Sequence, residues 1–194
     1  MNKTLFETKE LDFAKKLAEI VADFIFNAFL GDYNFNDDMF DTRGYFFESS
    51  VNYVKTYPDS ELSKAIKYQG VLYRFQCGEI DDSGFNIVSW SENTDIIYEC
   101  LEDFDNPVAY ISQTEENSFG ISVYGLETYL IKNGCSIYDY KDEDALNDSA
   151  NIIEEEREII YIIPKQLKGY YDLDSFEKSV RKINRRKKLS GLQL

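Results

Sequence analysis

The chain has 194 residues, 43% of them hydrophobic and 15% aromatic, with 36 acidic and 21 basic side chains and no histidine. That length and apolar content point to one domain with a sizeable core rather than to disorder, and the lack of histidine excludes histidine-dependent triads and His-ligated zinc. The net charge of −15 is uneven: residues 1–164 carry 12 basic and 33 acidic side chains, a net of −21, while residues 165–194 carry 9 and 3, a net of +6. So acidic a body disfavours phosphate backbones, so nucleic acid is not expected as a direct ligand, and it attracts basic partners through a field that salt weakens.

Residues 1–7 lack the apolar core of a signal peptide, and no later stretch is long and apolar enough to span a bilayer. The expectation is a soluble protein with no membrane partner, acting in a cytoplasm, its own or that of a cell it enters. Ala14, Leu17, Ile20, Val21, Phe24, Ile25 and Ala28 recur at three- and four-residue spacing and predict a helix over 11–30, with Gly31 as its stop. Residues 34–41, rich in Asn and Asp, read as a loop, and residues 46–57 mix aromatic and polar side chains without an assignable period. Pro58-Asp59-Ser60-Glu61 opens a short helix running to Tyr68, and Gly70 follows.

From there the pattern turns to short strands over 71–76, 85–90, 108–112, 119–124 and 158–163. A helix over 93–104 separates the second and third, with Ile96, Ile97, Cys100 and Leu101 inward. Residues 139–150 read as a solvated loop. A last helix starts at Asp174, with Glu177 three residues on as in a capping box, an apolar stripe of Leu173, Phe176, Val180 and Ile183, and a basic end at 185–188. Cys77, Cys100 and Cys135 show no metal-ligand spacing and read as free thiols of a reducing compartment. Helices first, then strands carrying polar motifs, predict an α+β fold. It is a single domain over 1–194, with a mostly helical part over 1–69, a β core over 70–164 and a basic C-terminal helix over 165–194.

Three segments carry candidate chemistry. Arg74 stands in the apolar strand Gly70-Val71-Leu72-Tyr73-Arg74-Phe75. An arginine there is either exposed, salt-bridged, or a clamp on phosphate, to which a guanidinium donates two parallel hydrogen bonds. Ser89-Trp90-Ser91 ends the next strand. Serines in such places also form turns and helix caps, and Ser91 stands where it would cap the helix that follows. Glu154-Glu155-Glu156-Arg157-Glu158 opens the most apolar strand, Ile159-Ile160-Tyr161-Ile162-Ile163. Alternate side chains of an extended chain share a face, so Glu156 and Glu158 are expected to project together. Such a pair suits a developing positive charge or a cationic acceptor, although a charge run is otherwise only a solvated face.

In chain order these motifs read arginine, serine-x-serine, glutamate-x-glutamate. That order resembles the mono-ADP-ribosyltransferases of the arginine–serine–glutamate class, which transfer ADP-ribose from NAD to a protein side chain. The resemblance covers residues 70–164. It implies a split, mostly antiparallel β-sandwich of ADP-ribosyltransferase type behind a helical N-terminal part, with NAD as co-substrate and no metal. By resemblance Arg74, beside the aromatic Tyr73, clamps the NAD pyrophosphate. Phe75 departs from the family's usual small residue, whose backbone holds the nicotinamide amide. Ser89 orients the catalytic glutamate, and Ser91 closes the same cofactor-binding motif. Trp90 replaces a threonine and either stacks on nicotinamide or fills the core. Glu158 stabilises the ribosyl cation, and Glu156 binds and deprotonates the nucleophile.

Glutamate rather than glutamine at position 156 accompanies arginine-directed transfer in the family. The acidic segment 139–155 is then the acceptor-recognition loop, suited to a basic protein acceptor such as a nucleic-acid-binding protein. Among toxin, effector and phage-encoded host modifier, small size and the missing signal favour the last two. The competing expectation, drawn from the charge of −15, is a non-catalytic acidic inhibitor that mimics nucleic acid or blocks a basic partner surface.

Overall fold

The computed structural model of the chain describes residues 3–29, 37–77, 87–103, 107–140, 152–162 and 167–191. Two helices lead, α1 (Lys3–Phe29) and α2 (Asp37–Thr56). The period read from α1 is the one that packs, since Ala14, Leu17, Val21, Phe24 and Ile25 are buried. α2 corrects the sequence reading: residues 37–41 are not loop, and the unassigned 46–57 continue the same helix. Its buried row is narrow, Phe46, Ser50 and Val54 at every fourth residue, and the polar and aromatic residues between them hide it. Gly31 lies outside the described residues.

Ser60 caps α3 (Glu61–Ile66), its hydroxyl accepting from the Ser63 N–H at 3.1 Å. The buried Glu10 of α1 accepts from the Leu62 N–H at 2.9 Å and so ties the two helices together. α3 stops short of the expected Tyr68, because Lys67–Tyr68 is already β1. The strands β2 (Val71–Cys77) and β3 (Ile87–Ser91), helix α4 (Asp95–Asp103) and strand β4 (Pro107–Gln113) follow close to expectation. Residues 85–86 of the expected second strand lie outside the described residues. Of the strand expected over 119–124, only β5 (Gly120–Ser122) is extended. The Ser122 hydroxyl then accepts from the Gly125 N–H at 2.9 Å and starts α5 (Val123–Lys132), a helix absent from the sequence reading.

Ile137–Tyr140 form a 3-10 turn, and residues 141–150 of the acidic loop lie outside the described residues. α6 (Ile152–Glu156) leads into β6 (Glu158–Ile162), and β7 (Gly169–Tyr170) into α7 (Leu173–Gly191). The cap of α7 is Asp172 rather than Asp174, its carboxylate accepting from the Ser175 N–H at 2.8 Å. Cys135 is a free thiol; the side chains of Cys77 and Cys100 are outside those described.

The fold is α+β, with one antiparallel sheet in the order β1-β5-β6-β3-β2-β4-β7. β3 pairs with β6 from Ile87 to Ser91, and β2 with β4 from Val71 to Cys77, but β2 meets β3 only at Tyr73↔Ser91. The sheet is therefore nearly divided there. Leu72, Val108 and Tyr110 of one half and Val88, Trp90, Ile159 and Tyr161 of the other join in a single buried cluster, which holds the halves together without a backbone ladder. The other face of β2 and β4 is covered by α4 and α7 through Tyr73, Ile97, Phe176 and Val180. The other face of β5 and β6 is covered by the N-terminal helices and α5 through Leu17, Phe24, Phe46, Leu126 and Ile160.

α3 and α5 pack backbone to backbone: a Cβ on Gly125 would lie 2.0 Å from the Ala65 carbonyl oxygen. Gly125→Ala is expected to destabilise the fold by roughly 1–3 kcal/mol or more. Gly44→Ala in α2, where a Cβ meets nothing within 4 Å, is expected to gain up to about 1 kcal/mol. Urea unfolding midpoints of the two variants check both.

Candidate functional site

Beyond Tyr73↔Ser91 the strands β2 and β3 part, and a cavity of ≈ 210 Å³ opens between them. β2 lines it with Tyr73, Arg74 and Phe75, and β3 with Ser89, Trp90 and Ser91. Glu156 at the end of α6, Glu158 at the start of β6, and Ile96 and Ile97 of α4 complete the wall. All eight residues singled out in the sequence thus border one cavity, although they lie far apart along the chain.

Arg74 spans the gap between the strands. Its Nη1 donates to the Ser89 carbonyl at 2.5 Å and its Nε to Gln76 Oε1 at 3.5 Å. Burial, then the nearby Arg43, pull its guanidinium down to about 10, with Glu158 and Tyr110 acting the other way. It stays charged at neutral pH.

The serines do not divide the work as expected. Ser89 stands opposite Ile160 and Ser91 opposite Glu158. Ser89 and Glu158 are therefore diagonal neighbours, roughly 7–8 Å apart by sheet geometry, and Ser89 makes no contact that would orient Glu158. Its hydroxyl is buried without a partner among the described residues. Ser91 ties the cavity wall together instead: its hydroxyl donates to the Glu156 carbonyl at 2.5 Å and accepts from the Asn93 N–H at 2.8 Å. Asn93, just ahead of α4, accepts from the Asp95 N–H at 3.1 Å and also donates to the Glu155 carbonyl at 3.0 Å.

Two aromatics belong to the core. Trp90 is 2% exposed, faces away from the serines and packs in the cluster between the sheet halves, while its residue also borders the cavity. The Tyr73 ring lies edge-on to Phe176 at 6.2 Å in the cluster beneath α7.

The two glutamates reach the cavity by a route other than strand alternation. Glu156 is the last residue of α6, Arg157 takes φ 44°, and Glu158 begins β6. A left-handed residue is a common way to end a helix, and it is unusual for a residue with a long side chain. Here it turns the chain so that a helix end and a strand start share one wall. The Arg157 side chain leaves that wall for Glu92 at 3.6 Å and the Tyr124 ring at 5.1 Å. Burial first, then repulsion from Glu158, push the Glu156 carboxyl up to about 7, and Arg43 opposes them.

Arg43 is the residue that sequence reading missed. From α2 its Nη2 lies 3.9 Å from Glu158 Oε1, and its guanidinium sits over the Phe24 ring at 5.4 Å. It lies in a stretch with no legible period, and its one signal was chemical: two facing carboxylates in an acidic body call for a cation.

No protein-family model matches this chain, and no curated protein or solved structure matches it significantly. Among the described residues no His, Cys, Asp and Glu side chains are grouped to hold a metal ion, and no helix is long and apolar enough to cross a membrane.

The arrangement offers two carboxylates of different character, one held against a cation and one able to take up a proton near neutrality. Because the folded-state pKa of Glu156 is raised, its contribution to stability is present below pH 4.5 and is lost as pH rises through about 7. Glu156→Gln is therefore expected to match the unaltered protein at pH 4 and exceed it at pH 8, by at most about 3 kcal/mol. Thermal unfolding at the two pH values checks this.

Proposed function

We propose that this protein transfers ADP-ribose from NAD to an arginine side chain of a protein, with release of nicotinamide. The observation that carries the reading is the convergence of Arg74, Ser89, Glu156 and Glu158 on one cavity at the opening between β2 and β3. These are the residues on which the resemblance rests. In this reading the nearly divided antiparallel sheet is the split sandwich of ADP-ribosyltransferase type, and the protein is an effector or phage-encoded modifier acting in a cytoplasm.

The residues present fit the co-substrate. A cavity of ≈ 210 Å³ is below the roughly 300–1,000 Å³ of sites that enclose a drug-sized ligand, so it suits the nicotinamide-ribosyl end of NAD rather than the whole dinucleotide. Arg74 offers a cation to phosphate, and the unpartnered Ser89 hydroxyl is a polar group that a ligand would satisfy.

The chemistry balances on these groups. The bond between the ribose anomeric carbon and the nicotinamide nitrogen breaks, and its electron pair stays on the ring nitrogen, which becomes neutral. The ribosyl carbon gains oxocarbenium character, as in glycoside cleavage, and the Glu158 carboxylate stabilises that charge. A guanidinium nitrogen of the acceptor bonds to the same carbon and passes a proton to Glu156. A guanidinium with pKa above about 12 is a poor nucleophile unless a carboxylate positions it and takes that proton. Glu156, titrating near 7, is charged and ready to accept it above that pH.

Incubation with labelled NAD and a cell lysate tests the reading. A labelled protein band is expected, and Glu158→Gln is expected to weaken labelling by at least about 100-fold. Glu156→Gln is expected to abolish transfer while leaving slow nicotinamide release to water. Transfer by the unaltered protein is expected to rise with pH up to about 7 and then level off. No label, no released nicotinamide and no effect of NAD on the melting temperature would sink the proposal. The second reading, an acidic inhibitor of a basic partner, would then lead on the net −21 of residues 1–164, and its mark is binding that falls steeply with salt.

A further inference from the structure

Glu158 begins a strand whose next residues are wholly buried, so its side chain needs an anchor to point one way. The serine that the resemblance gives this task does not perform it. Ser89 is opposite Ile160, its carbonyl is held by Arg74, and its hydroxyl has no partner among the described residues. Ser91, directly opposite Glu158, has its hydroxyl engaged with Glu156 and Asn93 backbone atoms. Among the described residues, the cation that pairs with Glu158 comes from outside the sheet.

We infer that Arg43 is the positioning residue for Glu158, holding its carboxylate at the cavity wall from α2. Three observations support this. The pair is sheltered, with side chains 17% and 8% exposed, where an ion pair is screened far less than at a surface. The guanidinium is fixed from behind by the Phe24 ring, itself 1% exposed in the core cluster of α1 and α2, so it has little freedom to swing away. Finally, Arg43 Nε is buried with no hydrogen-bond partner among the described residues. An unsatisfied buried donor is unfavourable, and violations of this kind gather where a side chain serves a site rather than the fold.

The same cation joins the cavity into one electrostatic unit. Glu156 is faced by Glu158 of β6 and by Glu155 of its own helix, which raise its titration, and by Arg43, which lowers it. Arg74 stands across the cavity and feels both Arg43 and Glu158. Loss of Arg43 should therefore be read at two carboxylates, one that it holds and one whose protonation it tunes. The consequence for catalysis rests on the transferase reading, whereas the consequence for titration does not.

The test uses Arg43→Gln and Arg43→Lys in the full chain, with carboxyl NMR titration of Glu156 and steady-state nicotinamide release. In Arg43→Gln the Glu156 midpoint is expected to move above about 7, and Arg43→Lys, which keeps the charge, is expected to restore it. If the unaltered protein turns over NAD, kcat of Arg43→Gln is expected to fall on the order of 100-fold with KM for NAD nearly unchanged, as for a group that acts through another. A folded Arg43→Gln with an unmoved Glu156 midpoint overturns the inference. So does a rise in KM at constant kcat, which would make Arg43 a cofactor-binding residue. Should Arg43→Gln not fold, the Arg43 Nε–H of the unaltered protein decides: slow solvent exchange supports a fixed guanidinium, and fast exchange overturns it. An unaltered protein that never cleaves NAD, while Glu156 still shifts in Arg43→Gln, defeats the transferase reading and leaves the coupling standing.

Discussion

β2 and β3 touch through one residue pair, Tyr73↔Ser91, and everything around the cavity follows from their parting beyond it. Had the ladder continued, Arg74 and Ser89 would lie within a paired sheet with no room between them. Instead the Arg74 side chain crosses the gap to the Ser89 carbonyl. The halves do not drift apart, because Leu72, Val108 and Tyr110 pack against Val88, Trp90, Ile159 and Tyr161. Dispersion and apolar burial thus replace backbone hydrogen bonds as the link between them.

That opening governs the electrostatics. Arg43, Arg74, Glu156 and Glu158 are brought together in partly dry surroundings, where charge is disfavoured and neighbours count for more than in water. Burial is the largest influence on Arg74 and Glu156, pulling the first down and pushing the second up. The net charge of −15 says little about this site. Local pairing does, since the two arginines offset two carboxylates that would otherwise repel.

The wall bearing the glutamates is built by a helix end, one left-handed residue and a strand start. Ser91 and Asn93 fasten that helix end to β3 by bonds to the Glu156 and Glu155 carbonyls. Arg157 holds the turn from outside through Glu92 and Tyr124. Position, rather than strand alternation, is what places both carboxylates on the cavity.

Much of this was legible in the sequence alone. α1 showed its 3.6-residue period because nearly a full face of it is apolar, and β2, β3, β4 and β6 showed themselves as apolar runs between turns. The order arginine, serine, glutamate marked the same residues that border the cavity. α2 was hidden because its buried row is narrow and includes Ser50. α5 was hidden because Val123 and Tyr124 read as a continued strand, whereas Gly125 just beyond them lets α5 meet the Ala65 backbone. Chain order therefore determined which residue types meet at the site and their α+β setting. Only tertiary structure decided how they divide the work: Trp90 in the core, Ser91 as a fastening, the Ser89 hydroxyl without a partner among the described residues and Arg43 beside Glu158. Those assignments depend on register between strands and on a helix reaching across from some hundred positions away, and neither leaves a local periodic trace in the chain.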